Sequence, residues 1–576
     1  INNAVKSIEN IEPDFKLKSI PFDDKKVFQL LKSGKTKGIF QLESRGMVDV
    51  VKRMKPENFS DIIALVALYR PGPMESGMLD QYIKRKLGKS EVTVQHPALR
   101  KILNETYGVF VYQEQVMEAA QVLASYSLGD ADNLRRAMGK KKADVMEQEK
   151  GTFVKGCEQN NIDAQKAGEI FENIETFAGY GFNKSHSAAY AYLAYQTAYL
   201  KTHFTAHFLA SVLTSEQDKT DKLEPHIKDC EVMKVKIIPP NINSSKDTFL
   251  VNKDNCIEYS LAALKNVGRK FVQDLCEERE KGEFKSMMDL ASRVDLRKGG
   301  KRALESMAKA GVFDDFCGRN EAISMILKVL EASDQIHSSK ETGAVDMFGD
   351  VSLVDISGYE IEEFTESELL NKELECFGYY FSQHPLITIR NCISSRTKPI
   401  NKLQVSGQEK FLPVLIHKKR IRQKGSQVSI WLEVSDETGN LDVSIPRELH
   451  DNKKELFKEN SIVMLKGKFS HDDFREDARI RMRATDIMSI EDSRNHLTTK
   501  LCLEIDRANM KKIGNGQFPE LKELESDKGV DVFIRISDEE LNLSSEFKVD
   551  NFKISLEDST FEKLNKLFGE EKYKLY

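Results

Sequence analysis

The sequence predicts a multidomain α+β protein with a mainly helical N-terminal part and smaller β-containing parts after it. Three observations lead to this fold class. The chain has 576 residues, too many for one hydrophobic core, since a domain holds about 150 residues on average. Apolar residues recur with helical spacing through the first 235 residues. Segments between 410 and 490 instead alternate apolar and polar residues as strands do.

The composition predicts a chain that is neither inserted in a membrane nor exported. Hydrophobic residues make up 40% and charged residues 31% of the sequence, as in proteins with ordinary cores. No stretch approaches the roughly 18 consecutive apolar residues of a membrane span, and no basic segment followed by an apolar run opens the chain. The formal net charge is -5, so any nucleic-acid contact must be local.

Residues 1–235 are predicted to form the helical domain, with a short strand-like run at 109–112 and one continuous helix from 184 to about 213. One helix face is marked by four apolar residues at i, i+3, i+4 and i+7: Ile62, Leu65, Val66 and Tyr69.

Residues 236–330 are predicted to form helix-hairpin units, because glycines punctuate short helices and strand-like pieces. Leu264-Lys265-Asn266-Val267-Gly268 is typical of such a hairpin, whose backbone N–H groups bind a DNA phosphate. Asn266 stands where a glycine is usual, and asparagine tolerates the left-handed conformation better than most residues. Residues 306–313 are a candidate second unit.

Three further parts complete the predicted domain order. Residues 331–405 are predicted to form a linker with a few docked helices, because helical periodicity is lost and acidic residues dominate 355–375. Residues 406–492 predict a small barrel of five strands with a helical insert near 453–457. Residues 493–576 predict a compact α/β domain.

The strongest local signal for a ligand is Gly181-Phe182-Asn183-Lys184-Ser185-His186-Ser187, directly before a predicted helix. A glycine turn lets the backbone approach closely, and Lys184, Ser185 and His186 at a helix N-terminus offer N–H groups, positive charge and a hydroxyl to a phosphate. The alternative is an ordinary glycine-rich turn with an N-cap, and spacing alone does not separate the two.

A second basic cluster lies at the end of another predicted helix and contains five cations: Arg135, Arg136, Lys140, Lys141 and Lys142. Paired arginines suit bidentate phosphate contacts. The alternative is a solvated face that complements a helix C-terminus. Arg70 stands on a rigid helix exit before Pro71, where spacing alone favours a plain helix stop with an exposed arginine.

The predicted barrel carries a third basic cluster, with Trp431 soon after it: Lys418, Lys419, Arg420, Arg422 and Lys424. Basic residues interleaved with aromatic residues are typical of a groove for single-stranded nucleic acid. A basic hairpin with a core tryptophan explains the same pattern equally well.

The sequence predicts neither a metal site nor a catalytic centre. The eight cysteines are dispersed without a C-x-x-C pair, which argues against zinc and against disulfides and fits a reducing cytosol. His203 and His207 share a helix face but lack the glutamate and the third ligand of a zinc site. No two carboxylates stand on neighbouring strands as two-metal nucleotidyl transfer requires.

Five long motifs in order resemble the fingers region of the bacterial replicative DNA polymerase III alpha subunit family, the C-family DNA polymerases: GIFQLESRGM at 38–47, ALYRPGP at 67–73, YQEQVM at 112–117, LRRAMGKKK at 134–142 and FAGYGFNKSHSAAYA at 177–191. The resemblance extends more weakly through the rest of the chain, in IIPPNIN at 237–243, the hairpin at 264–268, VDMF at 345–348, the barrel and the tail.

The resemblance implies a role for each part. The fingers would bind the nucleotide triphosphate through six residues: Arg70, Arg135, Arg136, Lys184, Ser185 and His186. Duplex DNA would contact the hairpin through Lys265, Asn266 and Gly268, and an OB-fold barrel would approach the single-stranded template with Lys418, Arg420 and Trp431.

Two partner proteins are implied as well. The sliding clamp would bind the peptide containing Asp346, Met347 and Phe348, although Ala344 replaces the usual glutamine at the start of that peptide. The C-terminal domain would bind the clamp-loader tau subunit.

The family's N-terminal domain, thumb and palm, with the three catalytic aspartates, are expected upstream of Ile1. The chain is therefore expected to be a C-terminal fragment of a Mg²⁺-dependent DNA polymerase and inactive alone, the proofreading exonuclease binding the upstream region. The first alternative is a non-enzymatic DNA-binding scaffold that links clamp, clamp loader and template. The second is an error-prone paralogue used in damage tolerance.

Overall fold

The computed structural model describes residues 1–140, 143–178, 180–342, 361–405, 407–424, 427–471, 480–505, 523–538, 543–568 and 572–576. The chain divides into two compact units, residues 1–361 and residues 362–576. Each unit has its own hydrophobic cores.

The first unit opens with helices that form the predicted helical domain. Side chains that cap the first turn help to fix where some of these helices begin. At the start of the helix Lys25–Ser33, for example, the Asp24 carboxylate accepts hydrogen bonds from Lys26 N and Val27 N. The helices are α1 (Asn2–Glu9), α2 (Lys25–Ser33), α3 (Arg45–Met54), α4 (Phe59–Leu68), α5 (Pro71–Glu75), α6 (Met78–Lys86), α7 (Leu99–Leu103), α8 (Gln113–Ala124), α9 (Leu128–Lys140), α10 (Ala143–Gln159), α11 (Ala164–Ala178), α12 (Lys184–His203), α13 (Thr205–Glu216) and α14 (Thr220–Val232).

Helix α12 is central to this domain and shorter than the sequence predicts. Ala191, Ala194 and Ala198 are fully buried and let neighbouring helices approach closely. The predicted single helix to residue 213 is wrong, because the backbone leaves the helical region at Phe204 (φ -128°, ψ 51°). The ring of Phe204 packs on Phe15 with centroids 5.0 Å apart, so a tertiary contact accompanies the break.

A buried ion pair holds α12 against α14. Lys201 is 0% exposed, and its Nζ lies 2.7 Å from Asp229 Oδ2. The same ammonium donates to the carbonyls of Lys35 and Lys37 at 3.0 and 2.7 Å. One side chain therefore fixes two helices and the loop before α3.

The predicted strand at 109–112 is reduced to one isolated bridge between Tyr112 and Phe182. Phe182 N donates to Val111 O, and Gln113 N donates to Phe182 O. The apolar run is buried, as its composition suggests, but its one bridge partner is Phe182, so no ladder extends from it.

The rest of the first unit combines a small sheet with four helices. Strands β1 (Ile237–Ile238), β2 (Leu250–Val251) and β3 (Ile257–Glu258) lie in the order β1-β3-β2. The predicted domain boundary at residue 330 falls inside the last helix. The helices are α15 (Arg269–Arg279), α16 (Met287–Arg293), α17 (Gly300–Lys309) and α18 (Arg319–Thr342).

The second unit begins with α19 (Glu366–Phe377) and α20 (Pro385–Ile389) and continues into a closed barrel. Alternate residues of each strand fill its interior, as the sequence pattern predicts. The strand order is β4-β5-β6-β8-β7. The strands are β4 (Lys410–Lys424), β5 (Gln427–Asp436), β6 (Gly439–Ile445), β7 (Ile462–His471) and β8 (Ile480–Met488).

The helical insert of the barrel begins earlier than predicted. Helix α21 (Arg447–Asn452) follows Pro446, whose fixed φ suits a helix start. The predicted 453–457 segment contains only a short 3₁₀ turn, since Phe457 turns into the barrel core and is 1% exposed.

The C-terminal domain is a four-stranded sheet of order β11-β10-β9-β12 with a helix on one face, which completes the predicted multidomain α+β fold class. No helix within the described ranges is long and apolar enough to cross a membrane. The elements are α22 (Ile490–Leu497), β9 (Lys500–Ile505), β10 (Glu525–Asp538), β11 (Leu543–Ile554), α23 (Asp558–Phe568) and β12 (Tyr573–Leu575).

Candidate nucleotide and nucleic-acid sites

The start of α12 is built as a capped helix N-terminus beside the start of α8. The side chain of Asn183 accepts a hydrogen bond from His186 N at 2.8 Å. The bridge between Tyr112 and Phe182 brings the two helix starts side by side. Ser185 and His186 are exposed in the first turn. The segment is thus an N-cap, as one interpretation held, and its exposed polar groups can still contact a ligand.

Two carboxylates contact the cationic end of α12. Lys184 N lies 3.1 and 3.0 Å from the two oxygens of Glu114. Lys184 Nζ lies 2.7 and 2.8 Å from the oxygens of Glu105. A carboxylate at a helix N-terminus occupies the position that favours any anion. The N-terminus of α12 is therefore a position suited to an anion, and the carboxylate of Glu114 occupies it.

Arg135 and Arg136 share one carboxylate on α9. Arg135 Nε lies 2.8 Å from Asp132 Oδ1, and Arg136 NH2 lies 2.8 Å from Asp132 Oδ2. The hydrogen bond from Arg135 lowers the pKa of Asp132. The side chain of Arg136 is 65% exposed. The side chains of Lys140, Lys141 and Lys142 lie outside the described residues.

Gln113 joins the two basic clusters that the sequence could only treat separately. Its Oε1 accepts from Arg135 NH1 at 3.4 Å, and its Nε2 donates to Gly181 O at 3.2 Å. One amide on α8 therefore links the arginines of α9 to the turn before α12. The structure brings Arg135 and Lys184 to one junction of three helices.

Arg70 supports this junction from the other side. Its Nε donates to Ala67 O at 2.8 Å and its NH2 to Tyr180 O at 2.7 Å. The guanidinium lies 4.3 Å from the ring centroid of Phe182, and burial lowers its pKa. These contacts orient the turn before α12, so Arg70 is neither a plain helix stop nor fully exposed.

A row of rings runs along the exposed side of α12 from this turn. The centroid distances are 5.4 Å from Phe182 to His186, 4.5 Å from His186 to Tyr190 and 5.5 Å from Tyr190 to Phe40. Residues four apart share a helix face, so the spacing of 182, 186 and 190 is a signal that sequence reasoning overlooked. Gln113, Glu105, Glu114 and Asp132 were also missed.

The hairpin at 264–268 has the conformation that the sequence predicts. Asn266 adopts φ 65°, in the left-handed region where glycine is usual. Leu264 and Val267 are buried, whereas Lys265, Asn266 and Gly268 are exposed. Gly268 itself has φ -77° and is the N-cap of α15.

The candidate second unit at 306–313 stays a prediction, and its Gly311 adopts φ 81°. Residues 306–313 form the end of α17 and the turn after it. Another turn precedes α17, where Leu296 is buried and Gly300 adopts φ 72°. A Cβ on Gly299 would lie 2.6 Å from Phe271 of α15, so this turn packs directly on the first hairpin's helix.

The barrel brings Lys418, Arg420 and Trp431 onto one outer face. Arg420 is paired with Trp431 and Lys418 with Glu433 in the register of β4 and β5. Trp431 is not a core residue, because its neighbours Ile430 and Leu432 fill the interior. The guanidinium of Arg481 lies 5.3 Å from the Trp431 ring centroid. Arg420 forms an ion pair with Glu433.

The two histidines of the rejected zinc hypothesis contact different groups. His203 Nε2 lies 2.8 Å from Asp24 Oδ2, and His207 Nδ1 lies 2.7 Å from Ser7 Oγ. The eight cysteines all lie within the described residues, and none of them forms a disulfide bond. Asp346, Met347 and Phe348, the predicted clamp peptide, lie outside the described residues.

Two family models match parts of the first unit. Residues 1–161 match the family model of the bacterial DNA polymerase III alpha subunit finger domain, and residues 234–322 match a helix-hairpin-helix motif.

DNA polymerase III alpha subunits are similar to most of the chain. The one from Haemophilus influenzae is 40% identical over 87% of this chain and 44% of its own length. The one from Pseudomonas aeruginosa is 37% identical over 87% and 45%. The one from Escherichia coli K12 is 38% identical over 86% and 44%. The chain thus spans less than half the length of these relatives.

Proposed function

We infer that this chain, which is related along most of its length to the bacterial DNA polymerase III alpha subunit, supplies the nucleotide-binding and DNA-binding parts of a replicative DNA polymerase. The observation that carries the proposal is the three-helix junction where Gln113 links Arg135 to the turn before Lys184. Cations, helix N–H groups and a hydroxyl converge there, as a triphosphate requires.

At this junction a triphosphate would take the place of carboxylates. Glu105 and Glu114 contact Lys184, and Asp132 contacts both arginines. A triphosphate carries more charge than any one of these carboxylates, and arginine binds phosphate oxygens in bidentate fashion. We assign phosphate contacts to Arg135, Arg136, Lys184, Ser185 and His186. Arg70 holds the turn through Tyr180 O and acts as a positioning residue.

Two separate surfaces would contact DNA. The exposed hairpin residues Lys265, Asn266 and Gly268 precede α15, whose N-terminus lacks a side-chain cap. A DNA phosphate can accept hydrogen bonds from the free N–H groups there. The barrel face around Trp431 would bind the single-stranded template by stacking and by phosphate contacts.

Primer extension belongs, in this proposal, to the whole polymerase. Among the described residues no group of three or more His, Cys, Asp and Glu side chains could hold a metal ion, so these residues do not fit the Mg²⁺ that the family implies. We propose that the catalytic aspartates come from a palm domain of the whole protein. The chain alone would then bind nucleotide and DNA without extending a primer.

The proposed partners follow the family. The sliding clamp would bind at Asp346, Met347 and Phe348, the clamp-loader tau subunit would bind the C-terminal domain, and the proofreading exonuclease would bind the N-terminal region of the whole polymerase. Replication of chromosomal DNA and cysteines outside any disulfide suit a cytoplasmic protein.

Replacing Met347 and Phe348 by alanine is expected to abolish stimulation by the clamp while distributive synthesis by the whole polymerase stays unchanged. Two apolar side chains are then missing from a peptide whose first position is already Ala344 instead of glutamine. Burying such a side chain contributes about 1.5–3 kcal/mol, so the double change removes most of a short peptide's affinity. Product length on primed single-stranded DNA, with and without clamp, measures the effect. Undiminished stimulation would refute the assignment.

DNA binding by the chain alone tests the proposal directly. A labelled primer-template with a single-stranded overhang is titrated with the chain at several salt concentrations, and fluorescence anisotropy gives the affinity. We expect affinity to fall steeply with salt, because local basic surfaces release counterions in spite of the net charge of -5. If the folded chain does not bind DNA, a scaffold that docks partner proteins is the better description.

A further inference from the structure

Five outward-facing side chains form one row across all five strands of the barrel. The strand registers pair Arg420 with Trp431, Trp431 with Ser444, Ser444 with Arg483, and Arg483 with Lys468. Residues adjacent to four of them along the strands belong to the barrel core: Ile430, Leu432, Val443, Met482, Ala484 and Phe469. Arg420, whose neighbour Ile421 is itself exposed, lies on the outer face because it is paired with Trp431. Side chains alternate along a strand, so the five in the row face outward.

The row has the chemistry of a nucleic-acid track. It contains three cations, one aromatic ring and one hydroxyl, and none of its members is a carboxylate. Glu433 and Asp442, paired with each other in the register, lie two residues along their strands from Trp431 and Ser444. Strands lie about 4.8 Å apart, so the path from Arg420 to Lys468, followed round the curved surface of the closed barrel, is roughly 19 Å long.

The row ends at a surface cavity beside α21. The cavity has a volume of about 570 Å³, and Lys468 and Arg483 both line it. Leu449 supplies an apolar wall, Asn452 and Thr485 supply an amide and a hydroxyl, and Glu448 adds one carboxylate beside the two cations. An apolar wall with hydrogen-bonding groups suits a nucleobase, while the two cations suit the phosphates on either side of it.

We propose that single-stranded nucleic acid crosses the barrel along this row, with one base stacked on Trp431, phosphates on Arg483 and Lys468, and a further base in the cavity beside α21. This inference rests on the proposed single-strand binding by the barrel. It adds the path of the strand across the barrel, the residues Ser444, Arg483 and Lys468, and the cavity beside α21. A row of this length accommodates a few nucleotides, at the short end of the roughly 4–16 nucleotides that such barrels bind.

The chain's lone tryptophan gives this site its own signal, since Trp431 is the one tryptophan of the sequence. Oligo(dT) of about ten nucleotides, within the range that such barrels bind, is expected to quench its fluorescence, and so is a thymidine dinucleotide at higher concentration. The variant Arg483→Gln with Lys468→Gln should bind the longer oligonucleotide about tenfold more weakly, and its salt slope should be less negative by about 1.4, or about 0.7 for each lost contact. Its affinity for the dinucleotide should be unchanged.

The matched control is Lys454→Gln with Lys458→Gln, which removes the same charge from exposed positions outside the row and the cavity. It should bind both oligonucleotides as the unmodified chain does. Equal circular dichroism spectra and thermal midpoints establish that both variants fold.

Three results separate the possible failures. If oligo(dT) leaves Trp431 fluorescence unchanged, the barrel does not bind single strands and the proposed function of this domain fails with the path. If quenching is normal and the Arg483 and Lys468 variant binds the longer oligonucleotide normally, only the path is wrong. If the variant weakens both lengths equally, or the control weakens as much, the two cations act by general attraction and the row is not a track.

Discussion

Alanine at both Arg135 and Arg136, introduced into the whole polymerase, is expected to lower kcat/KM for nucleotide by about 10²-fold or more, mainly through a higher nucleotide KM. Each hydrogen bond to a charged group contributes about 1.5–3 kcal/mol, and a tenfold effect corresponds to about 1.4 kcal/mol. The affinity for primer-template DNA should change little, because both arginines lie at the three-helix junction that we propose binds nucleotide, and not on the hairpin or the barrel. Steady-state kinetics and DNA anisotropy measure the two quantities.

The control is the pair Lys25→Ala and Lys26→Ala, which removes two adjacent exposed cations of the same domain. These residues begin α2, and Asp24 beside them contacts His203 at the far end of α12. Since α12 has 20 residues, that end lies about 30 Å from Lys184. The control should leave nucleotide KM unchanged. An unchanged nucleotide KM in the arginine variant, together with weaker DNA binding, would show that the two arginines contact DNA and not the nucleotide.

Lys201→Met is expected to destabilise the first unit by about 3–5 kcal/mol, the range seen when one partner of a buried ion pair is removed. Lys201 is 0% exposed, and methionine would leave Asp229 and the carbonyls of Lys35 and Lys37 without their shared donor. Burial lowers the pKa of Lys201 and raises the pKa of Asp229, because it disfavours the charged form of each side chain. The opposite charge of the partner counteracts this effect, so each charge stabilises the other. Unfolding in urea, followed by circular dichroism, measures the loss.

The pairing can be tested by adding Asp229→Leu to Lys201→Met. Removing the second charge should restore part of the lost stability, while the two carbonyls stay unsatisfied and prevent full recovery. The control is Lys32→Met, which breaks an ion pair with Glu57 whose side chains are 36% and 63% exposed. An exposed pair contributes about 0–1 kcal/mol, so this change should be small. If Lys201→Met and Lys32→Met cost the same, the buried contact is not what holds α12.

Local signals predicted many of the elements well. Alternation of apolar residues placed the barrel strands, and a predicted strand such as 441–445 coincides with most of β6 (Gly439–Ile445). Asn266 was expected to adopt a left-handed conformation from its position in the hairpin alone, and its φ is 65°. These features depend on residues that are close in sequence. The steric limits and the periodicity that produce them are therefore visible in the amino-acid sequence alone.

Elements that depend on distant partners were predicted less well. The helix expected to reach residue 213 breaks at Phe204, where the ring packs on Phe15. The apolar run at 109–112 became an isolated bridge because its one partner is Phe182. No window of the sequence contains both members of either contact.

The residues of the candidate nucleotide site divide in the same way. Lys184, Ser185, His186 and the two arginines were visible as basic or polar residues in motifs. Gln113 was not recognised as a site residue, because a glutamine on a helix indicates no function by itself. Only the folded structure shows that it contacts both Arg135 and Gly181. The carboxylates of Glu105, Glu114 and Asp132 were overlooked for the same reason.

The sequence by itself therefore determined the fold class and the periodicity of many elements, and it supplied the candidate phosphate-contacting residues that stay predictions. Tertiary structure alone decided which residues become neighbours: Gln113 links Arg135 to the turn before α12, and the strand registers place Trp431, Ser444, Arg483 and Lys468 in that order across the barrel. The physical reason is that propensity and hydrophobic period act over a few neighbouring residues, whereas a binding site is formed by side chains that only packing and strand register bring together.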